Sequence, residues 1–211
     1  MSLHVYVREL RVARRRLVHE LRLDIAPGTV HTLMGESGCG KSSLLSAICG
    51  TAAPPVRFDG EVLLDGTRLD ALPTRQRGIA ILFQDDLLFA HMSVRENLLF
   101  AVPPGARAQR EAVVQQALRD LELPGLAQAD PATLSGGQRA RVALVRALLA
   151  RPRAVLLDEP FARLDAGLRA RMREFVFGTI QARGIPALLV THDAQDIADP
   201  QRVTRLASPQ P

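Results

Sequence analysis

The octapeptide Gly35-Glu36-Ser37-Gly38-Cys39-Gly40-Lys41-Ser42 constrains this chain more than any other stretch. It fits the pattern G-x-x-x-x-G-K-[ST]. A short apolar run, Val30 to Met34, leads straight into it, and Lys41 to Gly50 then reads as a helix ended by its glycine. Strand, glycine-rich turn and helix in that order make a cradle for phosphate. The glycines let backbone N–H groups come close, and the helix N-terminus adds a favourable dipole. Lys41 is the only lysine, although lysine and arginine together number 27. An ammonium is a compact point charge that lies against β- and γ-phosphate oxygens where a planar guanidinium fits less well. A bound nucleoside triphosphate is therefore expected. Gly35, Glu36, Ser37, Gly38, Cys39, Gly40, Lys41, Ser42 and Ser43 would surround its phosphates, with Ser42 as a Mg2+ ligand.

The residues around this loop predict an α/β fold. Leu3, Val5 and Val7 alternate with polar neighbours, as do Leu21, Leu23 and Ile25, and both read as strands. Glu61 to Asp65 reads as a strand closed by Asp65-Gly66, and Ile79 to Phe83 as a buried strand. From about Val94 to Leu149 the pattern is helical, broken at Pro103-Pro104-Gly105 and Pro124-Gly125. Then alternation resumes: Ala154 to Leu157 a strand, Asp165 to Arg183 a helix, Ala187 to Val190 a strand. Strands alternating with helices imply a parallel sheet with right-handed crossovers, and the helical block would be an insertion into it.

The totals exclude several classes. No apolar run reaches the roughly 18 residues of a membrane span, and the N-terminus lacks a signal-peptide pattern. A cytosolic chain is expected. Cys39 and Cys49 read as small buried residues, not a disulfide framework. The net charge of +5 comes from scattered arginines, with one run at Arg14-Arg15-Arg16. Aromatic residues are scarce, so no base-stacking platform is present and no nucleic-acid partner is expected.

Two further stretches carry chemistry. Val155-Leu156-Leu157-Asp158-Glu159 delivers two carboxylates to the C-terminal end of a strand, where ligands sit in open α/β sheets. Asp158 would hold Mg2+ and Glu159 would polarise the attacking water. By itself this could be a solvated acidic pair; beside Lys41 it gains weight. Leu134-Ser135-Gly136-Gly137-Gln138 is a helix start with Ser135 as N-cap and glycines exposing free N–H groups. Such an end attracts an anion. A chain that already has a phosphate cradle then holds a second anion site, which needs a purpose.

With these motifs in place, the chain resembles the nucleotide-binding subunit of an ATP-binding cassette (ABC) transporter over nearly its whole length. Leu134 to Gln138 stands as that family's signature motif. The resemblance implies a P-loop NTPase (RecA-like) core, an N-terminal antiparallel β subdomain and an inserted α-helical subdomain. The core would be about 1–84 and 150–211, and the helical part about 85–149, all in one ATPase domain. It implies a homodimer with two ATP molecules sandwiched head to tail, Ser135, Gly136, Gly137 and Gln138 of one subunit meeting the nucleotide held by the other. By the same resemblance Gln84 looks like the Q-loop glutamine near Mg2+ and water. His192 looks like the switch histidine at the γ-phosphate, and Asp165 the D-loop aspartate at the dimer interface. His4, His19 and His31 have no such context and read as ordinary surface or strand residues.

Gln84 to Leu98 resembles the segment after the Q-loop in bacterial importers, where it receives a helix of the permease. Leu87, Leu88, Phe89 and Met92 could equally be subdomain core. The resemblance implies permease subunits on a separate polypeptide, an indirect link to a periplasmic binding protein, and a place at the cytoplasmic face of the bacterial inner membrane. No C-terminal regulatory domain is expected. Small importer ATPases with thiamine- or polyamine-type relatives look closest. One departure stands out: the family's adenine-stacking aromatic falls near Val12, where there is none, and Tyr6 is too early. Adenine would pack on Val12 or on an arginine from Arg14 to Arg16, so weak discrimination between ATP and GTP is expected. The alternative from another class is a soluble ABC ATPase acting as an ATP-gated clamp on nucleic acid or the ribosome; such proteins usually carry two cassettes or a long coiled-coil insertion. A small-molecule kinase would leave Leu134 to Gln138 without a reason.

Overall fold

The computed structural model describes residues 1–207. Chain order begins with β1 (Leu3–Val12), β2 (Arg15–Ile25), β3 (Val30–Met34), α1 (Lys41–Cys49), β4 (Val56–Leu64) and β5 (Thr67–Arg68). It continues through a single turn, α2 (Thr74–Arg77), and then β6 (Ile79–Leu82), α3 (Val94–Ala101), α4 (Arg107–Asp120) and α5 (Gly136–Leu149). The last elements are β7 (Ala154–Asp158), α6 (Ala166–Arg183), β8 (Ala187–Thr191) and β9 (Val203–Arg205). Three helices thus stand between β6 and β7, as the helical pattern of the middle third predicts.

The strands form two sheets. One is antiparallel, in the order β2-β1-β4-β5; the other has the order β6-β7-β8-β3-β9, with each neighbouring pair parallel. Strands β7 and β8 are buried along their whole length, which is why they read as unbroken apolar runs. Their side chains alternate between two cores. Val155, Leu157, Ala187 and Leu189 face the cluster built with α3, α4, α5 and α6. Ala154, Leu156, Leu188 and Val190 face the cluster of α1 (Leu44, Leu45, Ile48) and the antiparallel sheet (Leu3, Val5, Leu23, Val62). Each fully buried leucine in these layers contributes roughly 1.5–3 kcal/mol of transfer free energy. One central sheet therefore joins both additions to the core.

Two expectations are corrected. The strand expected over Glu61 to Asp65 begins at Val56, because β4 pairs along β1 from Val12↔Val56 to Leu3↔Leu64. The strand expected as buried over Ile79 to Phe83 is only partly so: of β6 Leu82 is buried and Ile79 to Ile81 are half-buried, since β6 lies at the sheet edge with one strand neighbour. Asp65-Gly66 does turn the chain, with φ of 50° and 75°. Cys39 and Cys49 are free and buried.

Candidate functional site

Parallel strands place their C-terminal ends on one side of the sheet, and four neighbouring strands here each end in a motif. β3 runs into the glycine-rich loop, β8 into His192, β7 into Asp158 and Glu159, and β6 into Phe83 and Gln84. Because β7 and β8 lie between β6 and β3, these residues meet although they are distant in sequence. They line a cavity of about 660 Å3 that includes Glu36, Ser37, Lys41, Ser42, Gln84, Asp158, Glu159 and His192.

The loop is preformed. Gly40, the residue before α1, has φ of 101°, a left-handed backbone that a side chain would strain, and a Cβ there would stand 2.8 Å from Leu17. No side chain caps α1, so its first N–H groups are left for an anion. The Lys41 ammonium is buried and donates to the carbonyls of Gly35 (2.7 Å) and Glu36 (2.8 Å). Gly38, Gly40 and Ser43 line the cavity too; Gly35 lines a neighbouring hollow, and Cys39 is buried behind the loop.

Opposite the loop stand the two carboxylates. Asp158 is 4% exposed. Burial pushes its carboxyl above the usual carboxylate range, the nearby Glu159 charge pushes the same way, and the Ser42 hydroxyl and Lys41 pull it down. A costly buried carboxylate hydrogen-bonded to a hydroxyl on the cradle suits a divalent cation. Among the described residues no group of three or more His, Cys, Asp or Glu side chains could hold a metal alone. A Mg2+ ion here would therefore complete its shell with phosphate oxygens and water, as that ion commonly does. Glu159 has φ of 50°, unusual for a residue with a side chain, while its N–H donates to Val190 O at 2.9 Å. Its Oε1 stands 2.8 Å from His192 Nδ1. The loop carrying His192 is anchored below by Asp196, 1% exposed, which accepts from Arg169 Nε (2.8 Å) and Nη2 (2.6 Å) of α6 and from the Thr191 hydroxyl (3.1 Å).

The outer wall of the cavity is Val12, Arg15 and Leu17, at the tip of the β1–β2 hairpin. No Phe, Tyr or Trp is among the lining residues. Tyr6 is engaged elsewhere: its hydroxyl donates to Glu20, and the Arg22 guanidinium lies 4.9 Å over its ring. Val12 and Arg15, from the stretch where adenine contacts are expected, line this cavity. Leu17 was not foreseen; only the hairpin, which brings β2 back over the loop, reveals it.

The remaining predicted residues lie outside this cavity. Ser135 caps α5 in a reciprocal box: its hydroxyl accepts from Gln138 N (3.2 Å), and its own N–H donates to Gln138 Oε1 (2.8 Å). Gly136 and Gly137 form the first turn of that helix, and a Cβ at Gly137 would stand 3.2 Å from the Arg163 carbonyl. Asp165 caps α6, accepting from Leu168 N at 3.0 Å, and is exposed. Ser135 to Gln138 and Asp165 are thus near each other, but none lines the cavity described above.

A separate groove of about 410 Å3 lies between β6 and α5, with Leu87, Phe89, Phe100 and Arg146 on its walls. Leu87 is 58% and Phe100 64% exposed. Leu88 packs against the helical core and Met92 is half-buried. The apolar residues after Gln84 therefore divide between core and surface.

A family model described as ABC transporter matches residues 18–162. YnjD of Escherichia coli K12, described as an uncharacterized ABC transporter ATP-binding protein, is 49% identical over 199 residues, covering 94% of this chain and 92% of its own length. The Fe(3+) ions import ATP-binding protein FbpC of Mesorhizobium japonicum is 44% identical over 178 residues, 81% of this chain and 48% of its own. The sulfate/thiosulfate import ATP-binding protein CysA of Gloeobacter violaceus is 40% identical, 85% of this chain and 52% of its own. The chain spans about half the length of these two import proteins. The dimeric structure of MJ0796, a bacterial ABC transporter cassette, superposes with a TM-score of 0.83 at 26% identity, over 98% of this chain and 94% of that one.

Proposed function

The chain belongs to the ABC transporter family and is an ATP-hydrolysing member of it, and on that premise we propose that it energises a binding-protein-dependent importer by closing as an ATP-bound homodimer. One observation carries the reading: two glycine-flanked helix starts sit on the same chain, α1 without a side-chain cap and α5 capped by Ser135, and only α1 opens on the cavity. A second copy, placed head to tail, supplies the missing wall. Ser135 and Gly137 then meet the γ-phosphate held by the other copy, and Asp165 lies beside them at the interface. The solved dimer of a cassette with the same fold supports this arrangement.

The residues brought together at the cavity support the following roles. Lys41 exchanges two loop carbonyls for β- and γ-phosphate oxygens. Ser42, Asp158 and Gln84 are the residues that would hold Mg2+, which supplies charge neutralisation. Glu159 orients the attacking water and accepts its proton, and His192, hydrogen-bonded to Glu159, faces the γ-phosphate. Losing that phosphate removes the glue between the copies, which makes a two-state element. We take residues 1–84 and 150–211 as the catalytic core and 85–149 as the helical subdomain. The groove beside Leu87 and Phe100 is the proposed seat of the permease, and the chain would lie on the cytoplasmic face of the inner membrane. No helix of the described residues is long and apolar enough to cross it. Cargo selection belongs to the permease and binding protein; small solutes, thiamine- and polyamine-type ones included, are the proposed class.

Ser135→Arg tests the shared site. With Glu159→Gln present to stop turnover, the variant should bind ATP as a monomer yet fail to dimerise in size-exclusion chromatography; an ATP-dependent dimer would overturn the proposal. A second expectation concerns the base. A wall of Val12, Arg15 and Leu17 offers a guanidinium plane and aliphatic contacts, which suit adenine and guanine alike. ATP and GTP should bind within about fivefold of each other. Arg15→Ala should weaken both by about two- to fivefold, the scale of an exposed cation–π contact. Competition binding with a strong ATP preference would count against it.

A further inference from the structure

Asp86 lies two residues beyond Gln84 and belongs to neither core cluster, yet its side chain is only 11% exposed. Its Oδ2 accepts from Arg163 Nη1 at 3.0 Å and from Arg139 Nε at 3.4 Å. Arg139 is on the first turns of α5, and its Nη1 donates to the Leu134 carbonyl at 2.5 Å, the residue before Ser135. Arg163 stands two residues before Asp165, and its carbonyl packs against Gly137. From further along α5, Arg146 Nη2 donates to the carbonyls of Asp86 (3.4 Å) and Leu87 (2.9 Å), and its guanidinium lies 5.3 Å over the Phe89 ring. One carboxylate therefore ties together the loop after β6, the start of α5 and the loop before α6.

Its neighbour cannot substitute. Asp85 is 3.6 Å from Arg163 but 85% exposed, where an ion pair is weak. Removing the Asp86 charge leaves Arg139 and Arg163 side by side with no carboxylate between them. Leu88, Leu134 and Leu164 from the same three segments pack on the helical core, and the Asp86 ion pairs fix the polar side of the junction. The same loop also borders the Leu87–Phe100 groove.

We propose that Asp86 is a positioning residue that holds Ser135, Gly137 and Asp165 in register with the Gln84 loop, so that the surface offered to a second copy follows the state of the loop beside the groove. This rests on the shared-site reading above. None of the arginines bonded to Asp86 lines the cavity, so monomer affinity and dimer closure separate in the test. A displacement of the loop at the groove then reaches the dimer face through two charge-assisted hydrogen bonds.

The experiment uses the full chain carrying Glu159→Gln, with nucleotide affinity read in the monomer and ATP-dependent dimerisation read by analytical ultracentrifugation. Asp86→Ala should leave monomer ATP affinity within about twofold and weaken dimerisation by about tenfold, a typical coupling between sites. Asp86→Glu should restore most of it. Arg163→Ala, a change at a half-exposed side chain, should weaken dimerisation similarly, and the double variant should be no worse than either alone. Asp86→Ala that dimerises like the parent overturns the proposal, as does a loss of dimerisation matched by an equal loss of monomer affinity. Ser135→Arg separates the two ideas: if it blocks the dimer while Asp86→Ala does not, the latch is wrong and the shared site stands. If both dimerise, the shared site itself fails.

Discussion

Glu159→Gln is expected to reduce ATP turnover by at least about a hundredfold while nucleotide affinity is kept, because a positioned general base is worth about 10²–10⁴ in rate. The carboxylate sits at the end of a fully buried strand, held by the Glu159 N–H to Val190 O bond and by His192 Nδ1. Glutamine has the same shape and can keep a hydrogen bond to the imidazole; what it loses is the ability to take a proton. The left-handed backbone at Glu159 does not depend on side-chain charge, so the fold around Asp158 should persist. Nucleotide then enters, the copies close, and nothing reopens them. The measurable result is a stable ATP-dependent dimer with phosphate release near background. A variant that still hydrolyses freely removes Glu159 as the base.

Lys41→Ala is expected to cost about ten- to a hundredfold in ATP affinity. A charge-assisted hydrogen bond contributes about 1.5–3 kcal/mol. The ammonium offers more than one to the phosphates, but it gives up the Gly35 and Glu36 carbonyls to do so, and the net effect is about one such bond. Lys41→Arg is expected to fare little better. The side chain is buried under its own loop, and a planar fork has no room to face two oxygens from different phosphates. Calorimetric titration with ATP in the presence of Mg2+ reads both variants; unchanged affinity would overturn the phosphate-loop assignment.

Much of the catalytic side was legible in the chain because its parts are local. The loop and its helix are contiguous. The strand before Asp158 announces itself as an apolar run because it is buried on both faces. Ser135 and Gln138 spell a helix start three residues apart. The edge strand Ile79–Leu82 looked equally apolar, but apolar runs do not say which strand has neighbours on both sides. Leu17 carried no signal, and Asp86, though it lies in the Gln84–Leu98 segment, gave no hint of its partners, since both act through residues distant in sequence. One becomes a wall through a hairpin and the other a junction through two arginines 53 and 77 residues away.

The residues alone pointed to a phosphate cradle at Gly35–Ser42 and to a second glycine-rich helix start at Ser135, because glycine conformation, capping and a lone ammonium act over a few neighbouring positions. Only the folded chain decided which strand ends face the same cavity, that the second helix end opens away from it, and that Asp86 spans three loops. Strand order and side-chain meeting points depend on packing between distant segments, and no local pattern encodes them.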